Sequence, residues 1–364
     1  MYNNPFTPNF GQIPLHMAGR EEVISEIMYS FETSVRDPAR TSIFVGARGT
    51  GKTALLSYFA DACRSRGWLS VNVTCIEGIL EDIRQQTALE AREFLTGKEG
   101  SRLTGVSVGS LFSMTWEQNK QSAENFRTSM TKILDELEKK EVGLLITVDE
   151  VNPRLQEMVE LASTHQLFMR ENRKIALFMA GLPSEVSSLL NDRTVSFLRR
   201  ASQYTLGRLE DYEVETAFLK TVQESGKTIT ESALKEAIAA IAGFPYMMQL
   251  VGFRMWQQAG EEEEISLDAA RKGIAAAEKD FENRVLKATV RALSPADLRF
   301  LQAMLPDEGV SSISEIGKRM KKSSGYVSRY RARLLESGVI ESPARGQAAF
   351  ALPGLRKYLM QNFM

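Results

Sequence analysis

The segment Gly46–Thr53, GARGTGKT, limits the folds open to this chain more than any other stretch. It fits G-x-x-x-x-G-K-[ST], directly after the apolar run TSIFVG and directly before the helical pattern ALLSYFADACRSRG. A strand, a tight glycine loop and a helix N-terminus in that order make a concavity of backbone N–H groups. Gly46, Gly49 and Gly51 let the backbone turn closely enough for those groups to converge on phosphate oxygens. Ala47, Arg48, Thr50 and Ala54 complete the contacting stretch. Lys52 supplies charge for β- and γ-phosphates, and the Thr53 hydroxyl is a ligand for Mg²⁺. The bland alternative is a glycine-rich turn with an exposed lysine, and the strand and helix on either side argue against it.

Further along, GLLITVDE places Asp149 and Glu150 at the end of a nearly uninterrupted apolar run, as expected of a strand buried on both faces. In an open α/β sheet, ligands gather at the carboxyl ends of the strands, so both acids are expected to face the glycine loop. Asp149 is then placed to hold Mg²⁺, and Glu150 to orient or deprotonate an attacking water. Two acids that merely solvate a strand end are the competing reading.

The rest of the chain supplies the frame. TSIFVG, WLSVNVT, GLLITVD, IALFMAG and QYTLG are strand candidates alternating with helix-length segments, which predicts an α/β domain with a mainly parallel sheet. Before them lies a Pro-, Asn- and Gly-rich arm and an amphipathic helix from about Arg20 to Phe31. GVSVGSLFSMTW interrupts the rhythm as a hairpin or ordered insertion. From about Arg208 the pattern turns helical, through TAFLKTVQESG, ESALKEAIAAIAG and SLDAARKGIAAAEKDF, and Ser294-Pro295 reads as an N-cap and first-turn proline opening a third unit. The expected units are residues 1–207, an α/β core with its arm; 208–293, a helical lid; and 294–364.

Composition excludes several classes. No apolar run reaches the roughly 20 residues of a membrane span, and the N-terminus lacks the regions of a signal peptide, so a soluble cytoplasmic protein is expected. Two cysteines, Cys63 and Cys75, suit reduced thiols, and two histidines, His16 and His165, offer a zinc ion too few ligands. From Ser294 onward eleven basic side chains face six acidic ones, although the whole chain carries a formal charge of −1. A basic partner site, if one exists, is therefore expected at the C-terminal end.

These motifs resemble the AAA+ P-loop ATPases, in particular the archaeal-type, initiator-like branch shared with bacterial signalling ATPases. The resemblance implies ATP binding and hydrolysis with Mg²⁺, ADP as product, and self-association or a protein partner. It places Gly19 and Arg20, with Ile13 and Pro14, beside the adenine. It makes Arg199 or Arg200 of FLRRA an arginine finger for a neighbouring subunit, and it makes GFPYMMQLVG, with Gly243, Phe244 and Pro245, the lid motif closing on nucleotide. Two departures stand out. Tyr246 follows the proline where relatives carry an arginine, leaving Arg254 as a substitute, and Ala180-Gly181 ends the strand where relatives place a polar sensor. Slow or partner-dependent hydrolysis follows from the second.

The C-terminal stretch, with a helix expected over Gly325 to Ser337 burying Val327, Leu334 and Leu335, resembles a winged helix-turn-helix. Ser324, Tyr326, Ser328, Arg329, Tyr330, Arg331 and Arg333 lie on its other faces, and Arg345 and Gln347 lie in the expected wing. Such a set suits phosphates and base edges of double-stranded DNA. The alternative is a signalling ATPase in which this module binds protein or is autoinhibitory.

Overall fold

The computed structural model describes residues 3–9, 11–33, 36–96 and 125–363. The expected interruption at GVSVGSLFSMTW lies outside them. Five parallel strands form the central sheet: β1 (Thr41–Val45), β2 (Leu69–Thr74), β3 (Leu144–Asp149), β4 (Ile175–Gly181) and β5 (Ser202–Thr205), in the order β2-β3-β4-β1-β5. All five strand candidates therefore hold. The order puts β1 and β3, the strands that end in the glycine loop and in Asp149, on either side of β4.

Alternate residues of these strands feed two apolar layers, as the two-residue side-chain period requires. Leu144, Ile146 and Val148 pack with Leu177 and Met179 on one face, beneath α3 (Ile79–Thr96), α4 (Phe126–Glu138), α5 (Gln156–Arg170) and α6 (Pro183–Asn191). Leu145, Phe178 and Phe44 point to the other, against α1 (Glu21–Glu32) and α2 (Lys52–Arg64). There Phe44, Phe59 and Phe178 meet with centroids 5.3–5.9 Å apart, one pair stacked and two edge-on. Cys63 and Cys75 are free and buried, and burial pushes the Cys63 thiol up to about 12.

The helices that follow are α7 (Asp211–Glu224), α8 (Glu231–Ile241), α9 (Pro245–Ala259), α10 (Leu267–Phe281), a π turn over Glu282–Leu286, and α11 (Lys287–Arg291). Two-residue strands, β6 (Thr228–Ile229) and β7 (Glu264–Ile265), pair in parallel among them, so this part is not wholly helical as its sequence suggested. The arm is docked rather than loose. Phe6, 2% exposed, sits 4.9 Å from Phe218, and the absence of a side chain at Gly252 makes room for its ring.

The last stretch orders as α12 (Pro295–Met304), β8 (Val310–Ser312), α13 (Ile313–Met320), α14 (Ser324–Glu336), β9 (Ile340–Glu341), β10 (Gln347–Phe350) and α15 (Leu355–Phe363), with the strands in an antiparallel sheet β8-β10-β9. Ser294 and Asp297 form a reciprocal capping box at its start. One apolar cluster runs from Val214 through Phe281 and Phe300 to Leu359, and so crosses position 294, where the Ser294-Pro295 cap signal opens the third expected unit. Among the described residues no helix is long and apolar enough to cross a membrane.

His165 of α5 is buried, with Nε2 2.9 Å from the Thr41 hydroxyl, and desolvation lowers its pKa from 6.5 to about 4. The fold thus favours the neutral ring. Its stabilising contribution is complete above pH 6.5 and is lost as pH falls through 6.5 towards 4. Urea unfolding across that window should show a shallower decline for His165→Gln than for the wild type.

Candidate nucleotide-binding site

The glycine loop takes the conformation its composition requires. Gly49 and Gly51 have φ of 80° and 91°, a region costly for residues with a Cβ, and α2 starts at Lys52 immediately behind them. Lys52 Nζ donates to the carbonyls of Gly46 at 2.9 Å and Ala47 at 2.8 Å. Burial pulls its pKa down to about 8, against the opposing fields of Asp149 and Glu150. The Thr50 hydroxyl also donates to Ala47 O, at 2.9 Å.

Across the sheet ends, Thr53 Oγ1 donates to Asp149 Oδ2 at 2.5 Å, while Asp149 Oδ1 accepts from the Glu150 N–H at 2.9 Å. Both residues that the motifs assigned to a cation are therefore in contact. Their oxygens suit a hard ion that keeps much of its water, and no group of three or more His, Cys, Asp or Glu side chains among the described residues offers a metal another site. Glu150 is exposed at the cleft and has φ of 56°, a left-handed backbone without glycine to ease it.

These groups open into a cavity of about 890 Å³. Its floor is Arg48 to Ala54 with Asp149 and Glu150, and the lid contributes Phe244, Pro245, Tyr246, Met248 and Gln249. The lid lies directly on the loop: the Tyr246 N–H donates to Gly49 O at 3.2 Å, and a Cβ on Gly49 would strike the Phe244 ring. Gly46 and Ala47 do not line the space and serve instead as carbonyl acceptors for Lys52. Arg20 and Pro14 line it, whereas Ile13 and Gly19 do not, Gly19 facing the Glu213 carboxylate. Arg20 also ties the loop together, donating to Gly207 O at 3.1 Å and Thr50 O at 3.5 Å.

Three solved structures resemble this one over nearly the whole chain. The Walker-type ATPase PABY2304 of Pyrococcus abyssi is 17% identical, covers 94% of this chain and 96% of its own, and has a TM-score of 0.64. The ORC2 protein of Aeropyrum pernix, in its ADPNP-ADP complexes, gives 14%, 97%, 95% and 0.62 in the same order, and the Cdc6p of Pyrobaculum aerophilum 12%, 97%, 97% and 0.51. The chain shares the fold of these proteins. A family model described as a domain of unknown function (DUF8462) matches residues 283–359, and no curated protein matches the sequence.

Within this fold, several expected residues sit elsewhere than their motifs implied. Arg254 does not stand in for the missing lid arginine: its guanidinium binds Asp280, with Nε at 2.8 Å, and lies outside the cavity wall. Arg284, on the π turn, lines the wall and makes no hydrogen bond or ion pair among the described residues. Arg199 and Arg200 lie on a 3₁₀ turn outside the cleft of their own chain, Arg199 Nε donating to Leu190 O and Arg200 exposed.

Near the C-terminus, Arg331 holds the hairpin through Ser342 Oγ at 2.5 Å and Gln347 O at 3.2 Å, and Arg333 pairs at 3.1 Å with the fully buried Asp297. Ser324, Ser328, Arg329 and Arg345 are exposed, and Tyr326 packs on Tyr330 with centroids 4.6 Å apart. Val327 and Leu334 are buried, Leu335 only half so.

Sequence reasoning missed the arm's share of the wall, Thr7, Asn9, Gly11 and Gln12, and missed Asn152, Arg154 and Glu185. Arg154, four residues beyond Glu150, was the one with a usable signal.

Ala180 is fully buried, and a Cβ on Gly181 would collide with Val151. The polar sensor is thus absent for want of room as well as of the right residue. Gly181→Ser should lower stability by about 1–3 kcal/mol by overpacking, read as a shift in denaturation midpoint, without raising phosphate release.

Proposed function

We propose that the protein is an ATP-dependent switch of the AAA+ type that hydrolyses ATP slowly and acts on double-stranded DNA through its C-terminal unit. The observation that carries the nucleotide reading is the contact of Thr53 with Asp149 beside a loop that already holds Lys52. Lys52 and the N–H groups of residues 48–53 bind the phosphates, and Arg20, Pro14 and Pro245 bound the remainder of the nucleotide. Thr53 and Asp149 are the residues that would hold Mg²⁺, which when bound neutralises charge on the phosphate oxygens. Glu150 accepts a proton from the attacking water and aims it. Arg199 or Arg200 would reach the terminal phosphate only of a second copy, because neither lines its own cleft.

Glu150→Gln should therefore leave ATP affinity within about threefold while lowering single-turnover hydrolysis by a factor on the order of 10² or more. An unchanged hydrolysis rate would show that Glu150 is not the base.

The helix, strand and hairpin order of residues 294–363 supports reading this unit as a winged helix-turn-helix, with α14 as its recognition helix. Its internal bonds revise which charges are free. Arg331 and Arg333 hold the unit together, whereas Arg329 and Arg345 make no ion pair or hydrogen bond among the described residues and are left for phosphates. In fluorescence anisotropy at low salt, duplex DNA should bind with a steep salt dependence that Arg329→Glu with Arg345→Glu removes. Loss of binding only in Arg331 or Arg333 variants would point to unfolding of the unit instead.

A further inference from the structure

The C-terminal unit touches the glycine loop itself. Gly338, which ends α14 with φ of 68°, is buried against Ala47, and any Cβ at 338 would overlap the Ala47 methyl group. Ala47 is also the residue whose carbonyl accepts from both Lys52 and Thr50. One face of this residue therefore carries the lysine that meets phosphate, and the other carries a part of the chain far away in sequence.

A second route joins the same two regions. Arg208, at the exit from β5, donates through Nη2 to Phe350 O at 2.8 Å and Ala351 O at 3.0 Å, with Nε 3.3 Å from Glu341. Its neighbour Gly207 accepts from Arg20, which also binds Thr50 O in the loop. The C-terminal unit is thus held to the loop by a steric contact at Ala47 and by a polar chain running Thr50, Arg20, Gly207, Arg208 and Glu341.

We propose that docking of the C-terminal unit preorganises the phosphate loop, so that docking and nucleotide binding strengthen each other. The inference rests on reading the cleft as a nucleotide site. The physical cause is that Ala47 can present its carbonyl to Lys52 only in one peptide orientation, and Gly338 packs against that orientation. Any ligand that favours the loop in this form favours the docked unit by the same factor, because coupling between two sites is reciprocal.

Arg208→Ala in the full chain is the test, since the side chain is exposed, lies outside the cleft, and anchors the unit without touching the loop. ATP affinity should fall on the order of tenfold, a usual size for coupling between sites. Hydrogen exchange at the loop amides, measured without nucleotide, should speed up. Arg208→Lys, which keeps the charge near Glu341 but not the forked bonds, should fall between, and Lys318→Ala, an exposed change in the same unit that loses only a pair with Glu315 of its own helix, should match the wild type. A folded Arg208→Ala variant with unchanged or tighter ATP binding would overturn the coupling while leaving the nucleotide site intact. A wild-type protein that binds no ATP would overturn the site reading, and the coupling with it.

Discussion

The molecule is organised around one half-buried cation at the phosphate loop. The Lys52 ammonium sits where desolvation opposes its charge strongly enough to bring its pKa to about 8, and two carbonyls of its own loop together with two nearby carboxylates keep it there. Holding a cation in such a place requires that the loop close on itself, that α2 begin at once behind it, and that β3 end in acid beside it. The parallel sheet meets the last demand by placing β1 and β3 about one intervening strand apart, so that Thr53 and Asp149 touch.

Around that cation the chain adds layers taken from distant parts of the sequence. The lid rests on Gly49 through Phe244 and Tyr246, the arm fills the groove beside Gly252 with Phe6, and the C-terminal unit meets Ala47 through Gly338. None of these contacts is large. Their common property is that each replaces a side chain by a hydrogen atom on one partner, which allows backbone and ring to approach more closely than ordinary packing permits.

What could be read directly from the residues follows from this division. The five strands were legible because a parallel strand buried on both faces is apolar almost throughout, and the loop and the Asp149-Glu150 pair were legible because their chemistry needs particular residues at fixed positions. The arm was not, since Phe6 stands alone in a segment without periodicity and its pocket is created by a glycine on a different element. Nor were the roles of Arg254, Arg331 and Arg333. Each falls where a binding arginine would fall, and only the folded positions of Asp280, Ser342 and Asp297 show that those charges are already engaged. Arg284 escaped notice for the opposite reason, because it lies on a π turn that shifts the helical period and so breaks the pattern used to assign faces.

Glu150 holds a backbone conformation that costs an L-residue about 1–2 kcal/mol. Glycine or asparagine would relieve that cost and would remove the carboxylate from the cleft. Selection of this chain for thermal tolerance alone would accordingly enrich those two residues at position 150 and drift towards a more stable protein without its acid. The carboxylate at position 150 is therefore held in the cleft at a cost in stability.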